Sequence, residues 1–421
     1  MIRHLLTLIW NQRKQNGWLF AELVLVLLSV FFLVDAAYSR YTLYHQLMGF
    51  DISCCWRLYL EELNPGDKGY VGTQERGEAC WNRICALSER LMQTGDVEAT
   101  GCAFYSLPYS NGNSWTGIEA IGADSLHAYH ESLHVRKVDA GFFEVFRIRD
   151  LHGTPIRQLE NAAIDELVLT EMVARRLYDT TDARNRKVKI FGEEYPVLTV
   201  VPNLRYLDYL PVIPSFLMKY SSESMGQFFD IYRPSEAEYV IRMKREMTPD
   251  DMEEWLVAQG ERLVSGNVFV SSFTSLPSMR EAKIQGNRNQ WKLEQLVMAF
   301  LLLNVFFGVT GTFWMRTQAR RSETGLRMAL GASPRKVVSW LNVEGLLILL
   351  SAVAPVLLIV LNARYADLLD AAVPYTWSRW VIEVGISLGL LAVMLILGIA
   401  IPAYKIFQEE PADALRYEEQ P

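Results

Sequence analysis

The chain lacks the phosphate cradle of nucleotide-binding enzymes: no G-x-x-x-x-G-K-[ST] occurs. The strings H-E-x-x-H (His130–His134) and G-x-S-x-G (Gly385–Gly389) do occur, but the first sits where the surroundings read partly as strand and the second inside an apolar run, so neither has the helix or the strand-to-helix turn that its chemistry needs. It also lacks an excess of positive charge: 41 lysines and arginines stand against 48 aspartates and glutamates, a net charge of −7. No broad basic face interleaved with aromatics occurs, so nothing points to nucleic acid. Histidine is scarce, at 6 residues, and cysteine scarcer, at 5. The cysteines (Cys54, Cys55, Cys80, Cys85 and Cys102) fall early in the chain, at spacings that match no standard zinc pattern. Cys80 and Cys85 are close enough in sequence for a local disulfide, and Cys54 or Cys55 with Cys102 offers a longer one. An odd number leaves at least one thiol free or intermolecular. His127, His130 and His134 would share a face on a helix and so invite a metal reading. Their surroundings read partly as strand, which favours exposed or structural histidines.

What the chain has is a mosaic of apolar runs around a long water-soluble middle. Four segments, 17–37, 293–314, 337–361 and 381–404, reach the roughly 20 apolar residues that a bilayer crossing needs. The first outlasts a secretory h-region of about 7–15 residues, and only Asp35-Ala36-Ala37 resembles a cleavage site, so it reads as a retained anchor. Orientation follows from lysine and arginine. Residues 1–16 hold Arg3, Arg13 and Lys14 and no acid. Residues 315–336 hold Arg316, Arg320, Arg321, Arg327, Arg335 and Lys336 against Glu323 alone, whereas 362–380 balances Arg364 and Arg379 against Asp367 and Asp370. The first two segments are therefore expected in the cytoplasm and the third outside. Both termini, including the tail 405–421, then lie inside, and 38–292 lies outside. The expected fold class is a membrane protein with four transmembrane α-helices and a large α+β extracytoplasmic domain inserted between the first and second.

Residues 1–16 place Ile2, Leu5, Leu6, Leu8 and Ile9 among the basic residues, which suits an interfacial amphipathic helix; a continuous extension of the first span is the alternative. In the outer region, 134–138, 163–169, 239–242 and 267–273 read as strands, and 142–146 is a short apolar run. Residues 187–191 and 195–201 suggest a hairpin around Gly192-Glu193-Glu194. Thr170 can cap a helix over 171–177, and Thr248 with Pro249 can start one reaching Gln259. The whole suggests an α+β body in two lobes. After Arg280 the sequence suits a helical stalk leading into the second span, with a flexible linker as the alternative. Within the spans, Glu22, Asp35 and Glu344 are the polar residues to explain, and Gly308, Gly311, Gly385 and Gly389 would permit close helix approach.

The segment Arg320–Lys336, RRSETGLRMALGASPRK, is the densest signal. Ser322 or Glu323 can start a short helix, with Leu326, Ala329 and Leu330 as its apolar stripe. Gly331 suits a left-handed stop, and Ser333 with Pro334 restarts a helix. This loop resembles the signature loop of the MacB/FtsX-type ABC permeases, close to R-E-I-G-x-R-x-A-L-G-A. Glu323, Gly325, Arg327, Ala329, Leu330, Gly331 and Ala332 match, and Thr324 replaces the usual isoleucine. The tail, Pro402-Ala403 and then Pro411-Ala412-Asp413-Ala414-Leu415-Arg416, is similar to that family's C-terminus. Val138-Asp139-Ala140-Gly141-Phe142-Phe143 and the segment 169–177 resemble its periplasmic core domain. The usual strand ending in G-V-V reads Thr199-Val200-Val201 here, and the cysteine-bearing part has no counterpart.

The resemblance implies a multi-pass permease of the bacterial inner membrane, not itself an enzyme, that pairs with a second permease copy or paralogue. A separate ATP-binding subunit, holding ATP-Mg in trans, would contact Glu323, Gly325, Leu326, Arg327, Leu330, Gly331 and Ala332. ATP hydrolysis there would move the outer domain by mechanotransmission. Export of a periplasmic substrate is the first reading, in which a periplasmic adaptor and an outer-membrane channel would fit. Control of a cell-envelope enzyme or sensor, as in division or signalling, is the second.

Overall fold

The computed structural model describes residues 13–72, 75–121, 129–319, 326, 328, 330–366 and 372–407. The expected interfacial helix and the C-terminal tail motif therefore lie largely outside the described residues. In chain order the elements are α1 (Arg13–His45), β1 (Cys55–Glu62), α2 (Gly77–Met92), β2 (Val97–Phe104), β3 (Ser114–Ala120), β4 (Tyr129–Val138), α3 (Ala140–Val145), β5 (Glu166–Thr170), α4 (Glu171–Tyr178), β6 (Lys187–Ile190) and β7 (Glu193–Val201). There follow β8 (Ser215–Lys219), α5 (Ser222–Ile231), β9 (Glu238–Met243), α6 (Pro249–Gln259), β10 (Val264–Ser265), β11 (Val268–Ser275), α7 (Leu276–Ala319), α8 (Pro334–Tyr365) and α9 (Trp377–Phe407). The chain divides into two compact units, one of 1–44 with 289–421 and the other of 45–288.

The α+β unit is built on strands in the order β10-β11-β1-β9-β2-β4-β3-β6-β7-β5-β8, with β8 also pairing β4. That last pairing is parallel, from His134↔Ser215 to Val138↔Lys219, and closes six strands into a ring. The remaining strands form an open sheet, joined to the ring where Ala103 and Phe104 pair Val138 and Lys137. The two-lobed expectation thus has a definite form: one closed lobe and one open. The open lobe is covered by α2, whose Cys80, Trp81, Ile84, Leu87 and Leu91 recur at helical spacing and are buried with Phe229 of α5 and Trp255 of α6. The ring encloses Leu133, Val135, Leu167, Leu169, Phe216 and Met218, against which α4 lays Val173 and Leu177.

Local chemistry accounts for several boundaries and corrects others. The Thr248 side chain accepts from the Asp251 N–H, and Asp251 reaches back to the Thr248 N–H, a reciprocal cap that starts α6. Thr170 precedes α4 but does not cap it, because its hydroxyl donates to the Ser215 carbonyl at 2.6 Å across the β5–β8 pair. The hairpin turn is tighter than expected. Ile190 pairs Glu193, so the turn is Phe191-Gly192, both at positive φ (50° and 95°). The run 142–146 is helical through Val145, with the Asp139 carboxylate accepting from the Phe142 N–H at its start. The stalk is helix rather than linker: α7 is continuous over 44 residues, about 66 Å at 1.5 Å per residue.

The four membrane-length helices are Gly17–His45, Leu276–Met315, Arg335–Tyr365 and Trp377–Ala400. They pack through Leu19, Leu23, Leu27 and Phe31 of α1, Phe313 of α7, Leu341 and Ile348 of α8, and Leu391 and Leu395 of α9. The glycines singled out in the sequence are not the contact points. Gly308, Gly311, Gly385 and Gly389 have nothing within 4 Å of a built Cβ. Close approach occurs at Gly345, where a Cβ would lie 2.8 Å from Leu395, and at Gly398, 3.1 Å from the Thr310 Cα.

Two sets of polar residues in this unit are partnered across helices. The Thr312 hydroxyl donates to Glu22 at 2.8 Å. Arg379, 1% exposed, donates to Asp35 at 2.5 Å, Glu383 at 2.6 Å, Ser39 at 2.8 Å and the Val373 carbonyl at 2.5 Å. The Tyr375 hydroxyl also donates to Asp35, and its ring lies 3.7 Å from the guanidinium. The cluster pins α1 to α9. Replacing Arg379 by leucine strands two buried carboxyls, and breaking such a set costs about 3–5 kcal/mol. We expect R379L to melt well below wild type in lipid nanodiscs; an unchanged melting temperature would show that the cluster does not hold the helices.

Candidate coupling site and its connection to the outer unit

At the expected coupling loop, Glu323, Gly325 and Arg327 lie outside the described residues, and the other four expected contacts are defined. Leu326 and Leu330 sit one helical turn apart, joined by a 3.0 Å bond from the Leu330 N–H to the Leu326 carbonyl. They are 54% and 80% exposed. Met328 and Ala332 turn the other way and pack on the helix core. Gly331 has φ +93° and donates to the Met328 carbonyl at 2.9 Å, so the stop is made by a conformation that other residues adopt poorly. Ser333 occupies the N-cap of α8 and Pro334 its first turn, as expected, but the serine hydroxyl makes no capping bond. An open groove of about 610 Å³ follows, floored by Leu330, Ala332, Val337 and Trp340 and flanked by Arg335 and Lys336. This arrangement offers an apolar pair and a basic rim to a protein surface.

Sequence reasoning missed the polar joint at one end of the α+β unit. Arg205 is fully buried. Its guanidinium donates to the carbonyls of Gln46 (3.0 Å), Asp208 (2.7 Å) and Leu210 (2.8 Å), and its own N–H bonds the Met48 carbonyl at 3.0 Å. Asp208, also buried, accepts from Arg280 of α7 through Nε at 2.9 Å and through Nη2. Gly49 has φ +82°, and a Cβ there would lie 2.6 Å from the Asn203 carbonyl. The loop 203–210 therefore grips both the chain that follows α1 and the first turns of α7. Arg136 of β4 extends the joint, donating to the Arg205 carbonyl at 3.1 Å and the Ser106 carbonyl at 3.3 Å. Burial lowers its pKa to about 10, which leaves it charged at neutral pH. The available signal was an arginine inside the alternating strand 134–138, a position that must find buried acceptors.

The cysteines and histidines do not form the expected clusters among the described residues. Cys80 and Cys85 are free thiols on one helix, five residues apart, where helix geometry separates their Cα atoms by about 9 Å. A disulfide spans less than about 7 Å, so the local bridge is excluded by the helix that carries both residues. Cys54, Cys55 and Cys102 are also free. Burial pushes the thiols of Cys55 and Cys80 up to about 12 and that of Cys85 to about 11. His127 lies outside the described residues. His134 is buried in β4 between the rings of Trp115 and Tyr206, each 5.4 Å away. Burial, with Arg136 nearby, lowers its pKa to about 3, so it is a neutral packing residue.

Residues 296–411 match the family model for the FtsX-like permease C-terminal domain. No match occurs among curated proteins. Three solved structures are similar in part. The periplasmic region of MacB from Actinobacillus actinomycetemcomitans is 8% identical, covering 57% of this chain and 97% of its own, with a TM-score of 0.33. A permease-protein domain from Porphyromonas gingivalis is 12% identical, covering 55% and 92%, with a TM-score of 0.35. The extracellular domain of the ABC-type transporter YknZ from Gram-positive bacteria is 8% identical, covering 51% and 100%, with a TM-score of 0.27. The matched segment takes in the end of α7, the loop, α8 and α9, so this part of the chain carries an FtsX-like permease C-terminal domain, and the described residues include four membrane-length helices.

Proposed function

We propose that this chain is the membrane subunit of an ABC transporter that passes ATP-driven motion to its outer domain for export of a periplasmic substrate. The observation that carries the reading is the exposed Leu326–Leu330 pair within a loop resembling the family signature. A separate ATPase subunit, which holds ATP-Mg, grips the loop from Glu323 to Ala332. The chain sits in the bacterial inner membrane with both termini in the cytoplasm, as the lysine and arginine distribution supports. A second permease copy covers α7. Only 11% of the apolar window of α7 is buried, against 28–33% in the other three helices. Leu293, Leu296, Phe300, Leu303 and Phe307 form an exposed stripe along it, next to the open Gly308 and Gly311. Motion entering at the loop reaches the outer unit along α7 and through the Arg280–Asp208 contact.

Affinity purification of the full chain from detergent tests this reading. A soluble ATPase is expected to copurify, and L326D/L330D is expected to lose it while remaining in the membrane fraction. Purification without any ATPase, or retention of the ATPase by the double variant, would remove the basis of the proposal.

A further inference from the structure

The α+β unit holds a cavity of about 500 Å³ between α2, β2, α3 and the segment that follows Ile156. Its size suits a small organic ligand. Its charge is one-sided. Glu89, Asp139, Glu144 and Glu160 line it, and the one cation in the lining, Arg157, is held by Glu144 at 2.8 Å. The Glu160 side chain is 10% exposed, and its Oε2 makes no hydrogen bond. The nearest cation, Lys219, lies 3.8 Å away and spends its hydrogen bonds on the Asn161 carbonyl (2.6 Å) and Glu166 (2.9 Å). Trp81 and Met92 add apolar surface to the lining, on the helix that also carries Glu89. The Trp81 indole N–H is itself buried without a partner.

We propose that this cavity binds an organic ammonium ion, with the cationic head at Glu160 and Asp139 and an apolar body against Trp81. A buried carboxylate oxygen without a hydrogen bond is costly and is relieved by a closer cation. An aromatic wall suits the body and adds cation–π attraction. The inference rests on the outer unit alone and stands whether or not an ATPase acts at the loop.

Asp139 adds a pH signature. Burial, with Glu160 adding to it, raises its pKa to about 7. The groups around it are Cys85 and Glu89 of α2, Cys102 of β2, Tyr239 of β9, Glu144 of α3, and Arg157 and Glu160, with Lys219 of β8 behind Glu160. The backbone N–H groups of Cys102 and Phe142 favour its ionised form, the latter at 2.9 Å from Oδ1. A cation binds the ionised form, so affinity rises with pH across 7, and binding releases a proton.

Titration calorimetry on the full chain in nanodiscs, with 3-phenylpropylamine as probe, tests the proposal. The amine stays charged across the range, since alkylammonium groups titrate near 10. Saturable binding is expected, tightening about tenfold from pH 6 to pH 8 as the ionised fraction of Asp139 rises. The heat should depend on buffer ionisation near pH 7. E160Q should weaken binding by tenfold or more, and D139N should flatten the pH profile while keeping its cap. Absence of saturable binding, equal binding of 3-phenylpropanol or 3-phenylpropionate, or a wild-type profile flat in pH would each overturn it. These last readouts need only wild-type protein, so they decide the matter even where a variant fails to fold.

Discussion

G331P and R327E are expected to abolish stimulation of the partner ATPase while leaving the chain in the membrane. Gly331 sits at φ +93°, and proline is locked near −65°, so G331P cannot form the stop and also removes the N–H bonded to the Met328 carbonyl. The turn that presents Leu326 and Leu330 then loses its end. R327E reverses one charge of the basic loop. A tenfold fall in stimulated hydrolysis corresponds to only about 1.4 kcal/mol of lost interaction, so either change suffices if the loop is the contact. Copurification of the ATPase with normal stimulated hydrolysis in both variants would sink the role assigned to the loop. G331A is the graded control: it keeps the N–H and costs about 1–2 kcal/mol for the left-handed backbone, so it should show an intermediate loss.

The second large effect is expected at Arg205. Truncation to alanine leaves the carbonyls of Gln46, Asp208 and Leu210 buried without donors. Each orphaned group costs about 1–3 kcal/mol, so R205A should approach the whole stability of an ordinary domain. R205K should recover little, because an ammonium cannot match the planar fork that reaches three carbonyls. Hydrogen exchange of the full chain in nanodiscs should show lost protection at Gln46–Gly49 and at the start of α7. Protection restored by lysine, or unchanged in alanine, would show that the joint is not held by this guanidinium. R280A is the milder companion. It frees Asp208 without emptying the joint, and it should loosen the first turns of α7 alone.

The contrast between these two sites explains what was legible beforehand. The apolar runs, the positive loop and the glycine–serine–proline order are properties of consecutive residues, and the helices, the φ of Gly331 and the start at Pro334 follow from them. The strands over 134–138 and 239–242 and the cap at Thr248 were legible for the same reason. The ring closure by β4 and β8 was not, because it pairs residues about 80 apart and no local pattern encodes a parallel partner. Arg205 gave no signal for a related reason: its acceptors at Gln46, Asp208 and Leu210 are carbonyls, which leave no trace in side-chain sequence. The Cys80–Cys85 bridge failed through the opposite error. Proximity in sequence was taken for proximity in space, and the helix that buries Cys80 turns Cys85 away. The transmembrane glycines make no close approach within this chain, since spacing alone does not say which glycine faces which neighbour.

The closed ring has a consequence for how this molecule meets others. Within it each strand has a neighbour on both sides, so the lobe offers no unpaired row of N–H and C=O groups. At the far end of the open sheet the last strand, β10, is only two residues long. It pairs only Val268 and Phe269 of β11, so Val270–Ser275 have β1 on one side and no described strand on the other. A companion strand could add along that edge of the open sheet, whereas a partner of the ring must recognise its side chains and contours.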